Sequence, residues 1–308
     1  MSLRDYRELV RAPAAFSVLG DALAGASWAG RPLHGRALGI PVASVLLYWS
    51  GMALNDLADA DLDEIERPER PIPSGRISRR AAGITAAALA AGGIAAAGIF
   101  GGRKSVALAV PLAAAIATYN LVAKSGPFGP AVMAACRGLD VLMGAGSDRM
   151  LAAAPAATIV AAHTANVTVL SRGEVHGSTS RAVAGSVAAT AAVAAATVAA
   201  PAPVAAADDA SLGRAAGALA TARFGVAVGL PQSAAAAEPT AGNIRTATRA
   251  GIMGMIPLQA GLAARAGNLV AAIALAGLDL ALESRAAKAR AASKGQPTAK
   301  SEEGGSIT

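Results

Sequence analysis

Long apolar runs recur from one end of this chain to the other, and they leave it little choice of fold. Runs near 13–30, 37–54, 79–100, 104–123, 128–147, 150–170, 181–200, 212–230, 247–265 and 267–284 each approach the ~20 residues that a helix needs to cross a bilayer. A soluble domain carries about 25% charged residues; here 15% are charged and 54% are hydrophobic. In hydrocarbon a helix satisfies its own backbone hydrogen bonds. The expected fold class is therefore all-α, a polytopic membrane bundle of nine or ten transmembrane helices. Gly and Pro interrupt several runs, which membrane helices tolerate. Small residues such as Gly20, Ala24 and Gly25 would let helices approach closely.

Charge sets the expected topology. The net charge is +7, spread over loops rather than gathered into a patch, which argues for membrane orientation and against a nucleic-acid partner. With both termini cytoplasmic, that side collects Arg4, Arg7 and Arg11, the basic residues of 67–80, Lys124, Arg172, and the basic C-terminal segment. It then holds about three times as many Lys and Arg as the other side, as the positive-inside rule requires. The expected location is the plasma or inner membrane, multi-pass. Residues 1–285 form one transmembrane domain, and 286–308 read as a disordered basic tail. Cys136 is the single cysteine, so no intrachain disulfide forms, and nothing at the N-terminus reads as a cleaved signal.

Between the second and third runs lies Asn55-Asp56-Leu57-Ala58-Asp59-Ala60-Asp61-Leu62-Asp63, followed by Arg67-Pro68-Glu69-Arg70-Pro71-Ile72-Pro73-Ser74-Gly75. Asn55, Asp59 and Asp63 are spaced i, i+4, i+8. On a helix they share a face at about 0°, 40° and 80°, Asp56 joins them at about 100°, and Asp61 points away at about 240°. Like charges packed this closely repel unless a cation joins them. Oxygen ligands at this density suit Mg²⁺, which takes one or two carboxylates and shares its other sites with phosphate.

The pattern N-D-x-x-D-x-x-x-D followed by R-P-x-R-P-I-P-S-G resembles the first aspartate motif of the UbiA superfamily of intramembrane prenyltransferases. That resemblance implies helices packed around a membrane-embedded cavity whose polar caps face the cytoplasm. It implies Mg²⁺-assisted transfer of an isoprenyl group from an allylic polyprenyl diphosphate to an acceptor. Asn55, Asp56, Asp59 and Asp63 would hold the metal and diphosphate, with Asp59 and Asp63 catalytic and Arg70 on the diphosphate oxygens. The family's second motif maps to Leu170-Ser171-Arg172-Gly173-Glu174-Val175-His176-Gly177-Ser178. One carboxylate survives there. Glu174 is the expected opposing metal ligand, and Arg172 and His176 are expected substrate contacts. This loop resembles that of the EboC-like branch.

Four other places complete the expected site. Tyr119-x-x-x-x-Lys124 ends a run at the cytoplasmic face, where Lys124 meets diphosphate as a point charge. Arg137 and Asp140 stand at i, i+3 in the fifth run, spaced to pair with each other and to face the cavity. Asp21 is a lone carboxylate at membrane depth, expected to contact the acceptor or take its proton. His163 and Asn166 read as interhelical hydrogen-bonding residues. Walker, Rossmann, nucleophile-elbow and zinc signatures are absent, as is the D-G-x-x-A-R of the CDP-alcohol phosphotransferases. The competing reading is a transporter or lipid-binding protein that uses the aspartates to capture a cationic substrate.

Overall fold

The apolar runs fold as helices, and the breaks between and within them decide where polar side chains meet. The computed structural model describes residues 2–31, 34–201 and 210–294. Among these the chain is all-α: α1 Leu3–Leu9, a 3₁₀ turn Ala12–Ser17, α2 Leu19–Trp28, α3 Ile40–Ala58, α4 Ala60–Glu66, α5 Arg79–Gly101, α6 Arg103–Thr118, a π turn Tyr119–Ala123, α7 Gly129–Ala145, α8 Met150–Ser171, α9 Ser180–Ala199, α10 Ala210–Ala237, α11 Ala241–Met253, α12 Met255–Arg265 and α13 Leu269–Lys294. It is an integral membrane protein. Five segments are long and apolar enough to span by themselves, Gly35–Ala58, Arg79–Gly101, Arg103–Ala123, Met150–Ser171 and Ser180–Ala199. The segment from Leu3 to Trp28 joins them as a sixth if it is counted as one span bent by 49°.

The first expected run is broken, and its chemistry shows why. Ser2 and Asp5 form a capping box that starts α1. Arg11 then adopts a left-handed backbone, φ 46°, and Pro13 opens the 3₁₀ turn that follows. The chain therefore turns sharply between α1 and α2, which brings Arg11 to Asp56. The ninth expected run, 247–265, is likewise two helices, α11 and α12, meeting at Gly254. A Cβ there would sit 2.2 Å from a methyl of Val228, so glycine permits α10 to press against the break. The last helix runs on to Lys294, past the expected domain end at 285, while 295–308 lie outside the described residues.

Small residues set the closest helix approaches. A Cβ on Gly25 would meet the Val141 carbonyl at 1.8 Å, and one on Gly144 would meet the Ala22 carbonyl at 2.1 Å, so α2 and α7 touch backbone to backbone. Two apolar clusters flank the bundle's centre. One gathers Trp28, Val160, Phe224, Leu258 and Leu262 from α2, α8, α10 and α12. The other gathers Leu47, Leu108, Leu112 and Met143 from α3, α6 and α7. Asn166 Nδ2 donates to Ser186 O and Thr190 Oγ1, both at 3.1 Å, and His163 Nε2 bonds Gly251 O at 2.9 Å, tying α8 to α9 and α11.

Candidate active site

The aspartate segment keeps its helical spacing although α3 stops at Ala58. Asp59 N donates to Asn55 O and Asp63 N to Asp59 O, at 3.0 and 2.8 Å, so the i to i+4 ladder crosses the join into α4. Asp56 and Asp63 are buried, 4% and 1% exposed, while Asp61 turns outward to Arg79.

Every inward carboxylate faces a cation. Arg11 Nη2 donates to Asp56 Oδ1 at 2.7 Å and to Asn55 Oδ1 at 3.4 Å. Arg70 Nη1 bridges Asp63 Oδ2 at 2.5 Å and Asp56 Oδ1 at 3.5 Å. Lys124 is bonded to Asp59 Oδ1. The Arg-Pro punctuation after the aspartates explains how Arg70 returns to them: Arg70 N donates to Arg67 O, and the turns through Pro71–Gly75 fold the strap back under α4. Arg76 anchors that strap to Glu8 at 2.8 Å and Asp5 at 3.1 Å.

Beneath this mouth lies a chamber of about 430 Å³, mostly apolar, bounded by α3, α6, α7, α8, α11 and the bent N-terminal segment. Asn55, Tyr119, Arg137, Asp140 and Glu174 line it. Asp56, Asp59, Asp63, Arg70 and Lys124 do not line the chamber themselves; they form a rim that adjoins it through Asn55 and Arg11, which do line it, Arg11 bonding both Asn55 and Asp56. A π turn carries Tyr119 and Asn120, adjacent in sequence, onto the chamber wall. Such turns concentrate at functional sites because they widen one helical turn by a residue.

Deeper in, the charged residues partner differently from the sequence expectation. Arg137 and Asp140 do not pair. Arg137 instead reaches α2, with Nε 2.9 Å from Asp21 Oδ2 and Nη2 donating to Ser17 O at 2.7 Å. Gln259 Nε2 completes the ring around Asp21 Oδ1 at 2.6 Å. Asp140 accepts from Ser44 Oγ at 2.6 Å. The i, i+3 spacing offers Arg137 a partner on its own helix, but the close α2–α7 approach supplies a better one across the interface. Asp21 is fully buried behind Arg137 and does not line the chamber. Ser44 stands eleven residues below Asn55 on α3, so this polar floor lies about 16 Å beneath the mouth.

The loop after α8 contributes unevenly. Glu174 lines the chamber, and its carbonyl accepts from Arg245 at 2.7 Å. Arg172 donates to Gly126 O at 2.6 Å, bracing the neighbouring turn, and His176 is exposed away from the chamber. Residues that sequence reasoning missed are Arg11, Ser44, Asn120 and Gln259. Only Arg11 carried a signal, as a cation next to the first apolar run.

The donor set fits magnesium. It offers oxygen ligands only, and buried Asp63 Oδ1 has no hydrogen-bond donor, its nearest cation being Arg67 Nη1 at 3.6 Å. Among the described residues no three acidic, His or Cys groups close a cage by themselves. That suits a cation that takes one or two carboxylates and completes its shell on phosphate.

Comparison with known proteins agrees with this geometry. The model of the UbiA prenyltransferase family matches residues 15–206, more than half of the chain. A digeranylgeranylglyceryl phosphate synthase of Methanopyrus kandleri is 42% identical over 85 residues, 26% of this chain and 30% of that protein. Another, of Natronomonas pharaonis, is 37% identical over 123 residues, 39% of this chain and 41% of that protein. The chain thus matches less than half the length of these relatives. An apo UbiA homologue from Aeropyrum pernix K1 superposes with a TM-score of 0.64 at 22% identity, over 80% of this chain and 96% of that one. A digeranylgeranylglyceryl phosphate synthase structure superposes with a TM-score of 0.60 at 16% identity, over 87% and 99%.

Proposed function

This chain belongs to the UbiA prenyltransferase family, and we propose that it is an intramembrane transferase that moves an isoprenyl group from an allylic diphosphate to a hydroxyl acceptor. The observation that carries this is a rim of paired carboxylates and cations that adjoins, through Arg11 and Asn55, a mostly apolar chamber among the helices. The names of the similar proteins suggest the acceptor, a glyceryl phosphate that already bears one geranylgeranyl chain. The mouth faces the cytoplasm, where soluble diphosphates and the basic loops lie.

The rim works by exchange of partners. A carboxylate or guanidinium stripped of its partner in a buried site costs several kcal/mol. A magnesium diphosphate would bring both signs at once, so Lys124 and Arg70 could turn from carboxylate to phosphate oxygens and leave the aspartates free to hold the metal. Asn55, Asp56, Asp59 and Asp63 would hold Mg²⁺, with Glu174 from the opposite wall. When bound, the ion neutralises charge on the leaving diphosphate as a Lewis acid. As the allylic C–O bond breaks, Arg70 and Lys124 are aimed at the oxygens where negative charge grows. The apolar walls hold the isoprenoid and keep water from the allylic carbon. The acceptor hydroxyl forms the new C–O bond at C1 as the C–O bond to diphosphate breaks, and its proton passes to the departing diphosphate. Asp21, Arg137 and Asp140 fix the polar floor, with Asp140 facing the chamber. Tyr119 borders the reacting end, Arg172 braces the turn at Gly126, and His176 stays outside the chamber.

The test is to incubate the purified protein with Mg²⁺, geranylgeranyl diphosphate and a cell lipid extract, and to identify products by mass spectrometry. A lipid heavier by one geranylgeranyl group is expected. Metal-independent uptake without diphosphate release would instead support a transporter.

A further inference from the structure

Two polar atoms on the chamber wall lack any hydrogen-bond partner, Asn120 Oδ1 and Thr248 Oγ1, apart from Arg137 Nε, which faces Asp21. Both side chains are buried, 4% and 3% exposed. Buried polar atoms left unpaired in this way are uncommon and call for a cause. The orientation of the Asn120 amide is fixed, because Nδ2 donates to Ile116 O at 2.9 Å and a carbonyl can only accept. Oδ1 is therefore an acceptor waiting for a donor. Gly51 of α3 packs against the same wall, where a Cβ would come within 3.0 Å of Ile116.

The chemistry of the substrates selects what can fill it. An isoprenoid tail has no polar hydrogen. An ionised diphosphate offers acceptors only. Of the two substrates, the acceptor alone brings an O–H. Asn120 stands four residues before Lys124 on the π turn, so it lies roughly one turn deeper than the cation assigned to diphosphate. That is where a nucleophile must wait to reach C1. We propose that Asn120 Oδ1 accepts a hydrogen bond from the hydroxyl of the acceptor, and that Thr248 Oγ1 on α11 makes the second contact. The site is thus built for a hydroxylated acceptor, and this assignment rests on the transfer reaction proposed above.

The test uses the full chain in detergent with geranylgeranyl diphosphate, Mg²⁺ and geranylgeranylglyceryl phosphate. Losing one buried hydrogen bond predicts that Asn120→Leu raises KM for the glyceryl acceptor about tenfold, and Thr248→Val about threefold. KM for geranylgeranyl diphosphate and the Mg²⁺ concentration dependence should stay within about twofold, because neither contacts Asn120 by this assignment. An unchanged acceptor KM in Asn120→Leu, or a rise in the diphosphate or Mg²⁺ requirement instead, overturns the inference and leaves the transfer reaction standing. A wild-type protein that transfers nothing to this acceptor overturns both. If Asn120→Leu does not fold, the acceptor's methyl ether replaces it as the probe on wild type. The ether should compete about tenfold more weakly than the alcohol binds, and equal binding overturns the inference.

Discussion

Both ends of the bundle hold aspartate between cations, yet the two arrangements differ in what they permit. At the far end Asp148, in the loop between α7 and α8, is clasped by Arg31 at 2.6 Å and Lys104 at 2.7 Å, with a third of its side chain in solvent. Hydrogen bonds from Lys104 and then Arg31 draw its carboxyl pKa down to about 2. At the motif end Asp56 and Asp63 are buried beside a chamber, and Arg70 serves both. The exposed cluster is a finished contact between loops. The buried one is, by the function proposed above, a set of charges that trade partners when a ligand supplies both signs. Burial beside empty apolar space, rather than the presence of acid–base pairs, separates a site from a staple.

The sharpest way to break that contrast is at the rim. Asp59→Ala and Asp63→Ala are each expected to lower Mg²⁺-dependent prenyl transfer by about 10²–10³-fold, the usual cost of removing a group that stabilises developing charge. The proteins should still elute as folded species in detergent, and full activity in both would dissolve the distinction between the two ends. Lys124→Met, which by the proposed assignment loses one charged hydrogen bond to diphosphate, should cost about 10–100-fold in kcat/KM, mostly in KM for the prenyl diphosphate. Arg11→Ala is milder, because Arg70 still faces Asp56. About two- to fivefold in the same KM is expected, in keeping with a half-exposed partner.

Asp148→Asn should leave transfer unchanged and alter only acid stability. Its folded pKa lies below the unfolded value, so its contribution is present above about pH 4 and fades as pH falls through about 2. Thermal unfolding between those pH values should be flatter in the variant than in wild type. A fall in transfer activity in this variant would show that the far end is more than a loop clasp.

Much of the fold was legible because hydrocarbon imposes it. Apolar length located α3, α5, α6, α8 and α9 to within a few residues. The breaks were less legible. The Arg11 turn and the Gly254 join depend on backbone dihedrals and on Val228 from another helix, neither of which leaves a hydropathy mark. The rim was visible as a spacing, since the i, i+4, i+8 pattern survives the join at Asp59. Arg11 was not, because a charged N-terminal segment also serves topology. The deep partners Ser44 and Gln259 were invisible, for their roles come from depth shared across helices, not from neighbours in sequence. The same reason moved Arg137 from Asp140 to Asp21.

The most direct measurement is diphosphate release from geranylgeranyl diphosphate by the purified protein, with Mg²⁺ and with the metal chelated, in wild type and in Asp63→Ala. Release coupled to a prenylated product in wild type with Mg²⁺, and in neither of the other conditions, is the result this account predicts. Equal release after chelation, or undiminished release by Asp63→Ala, would contradict it.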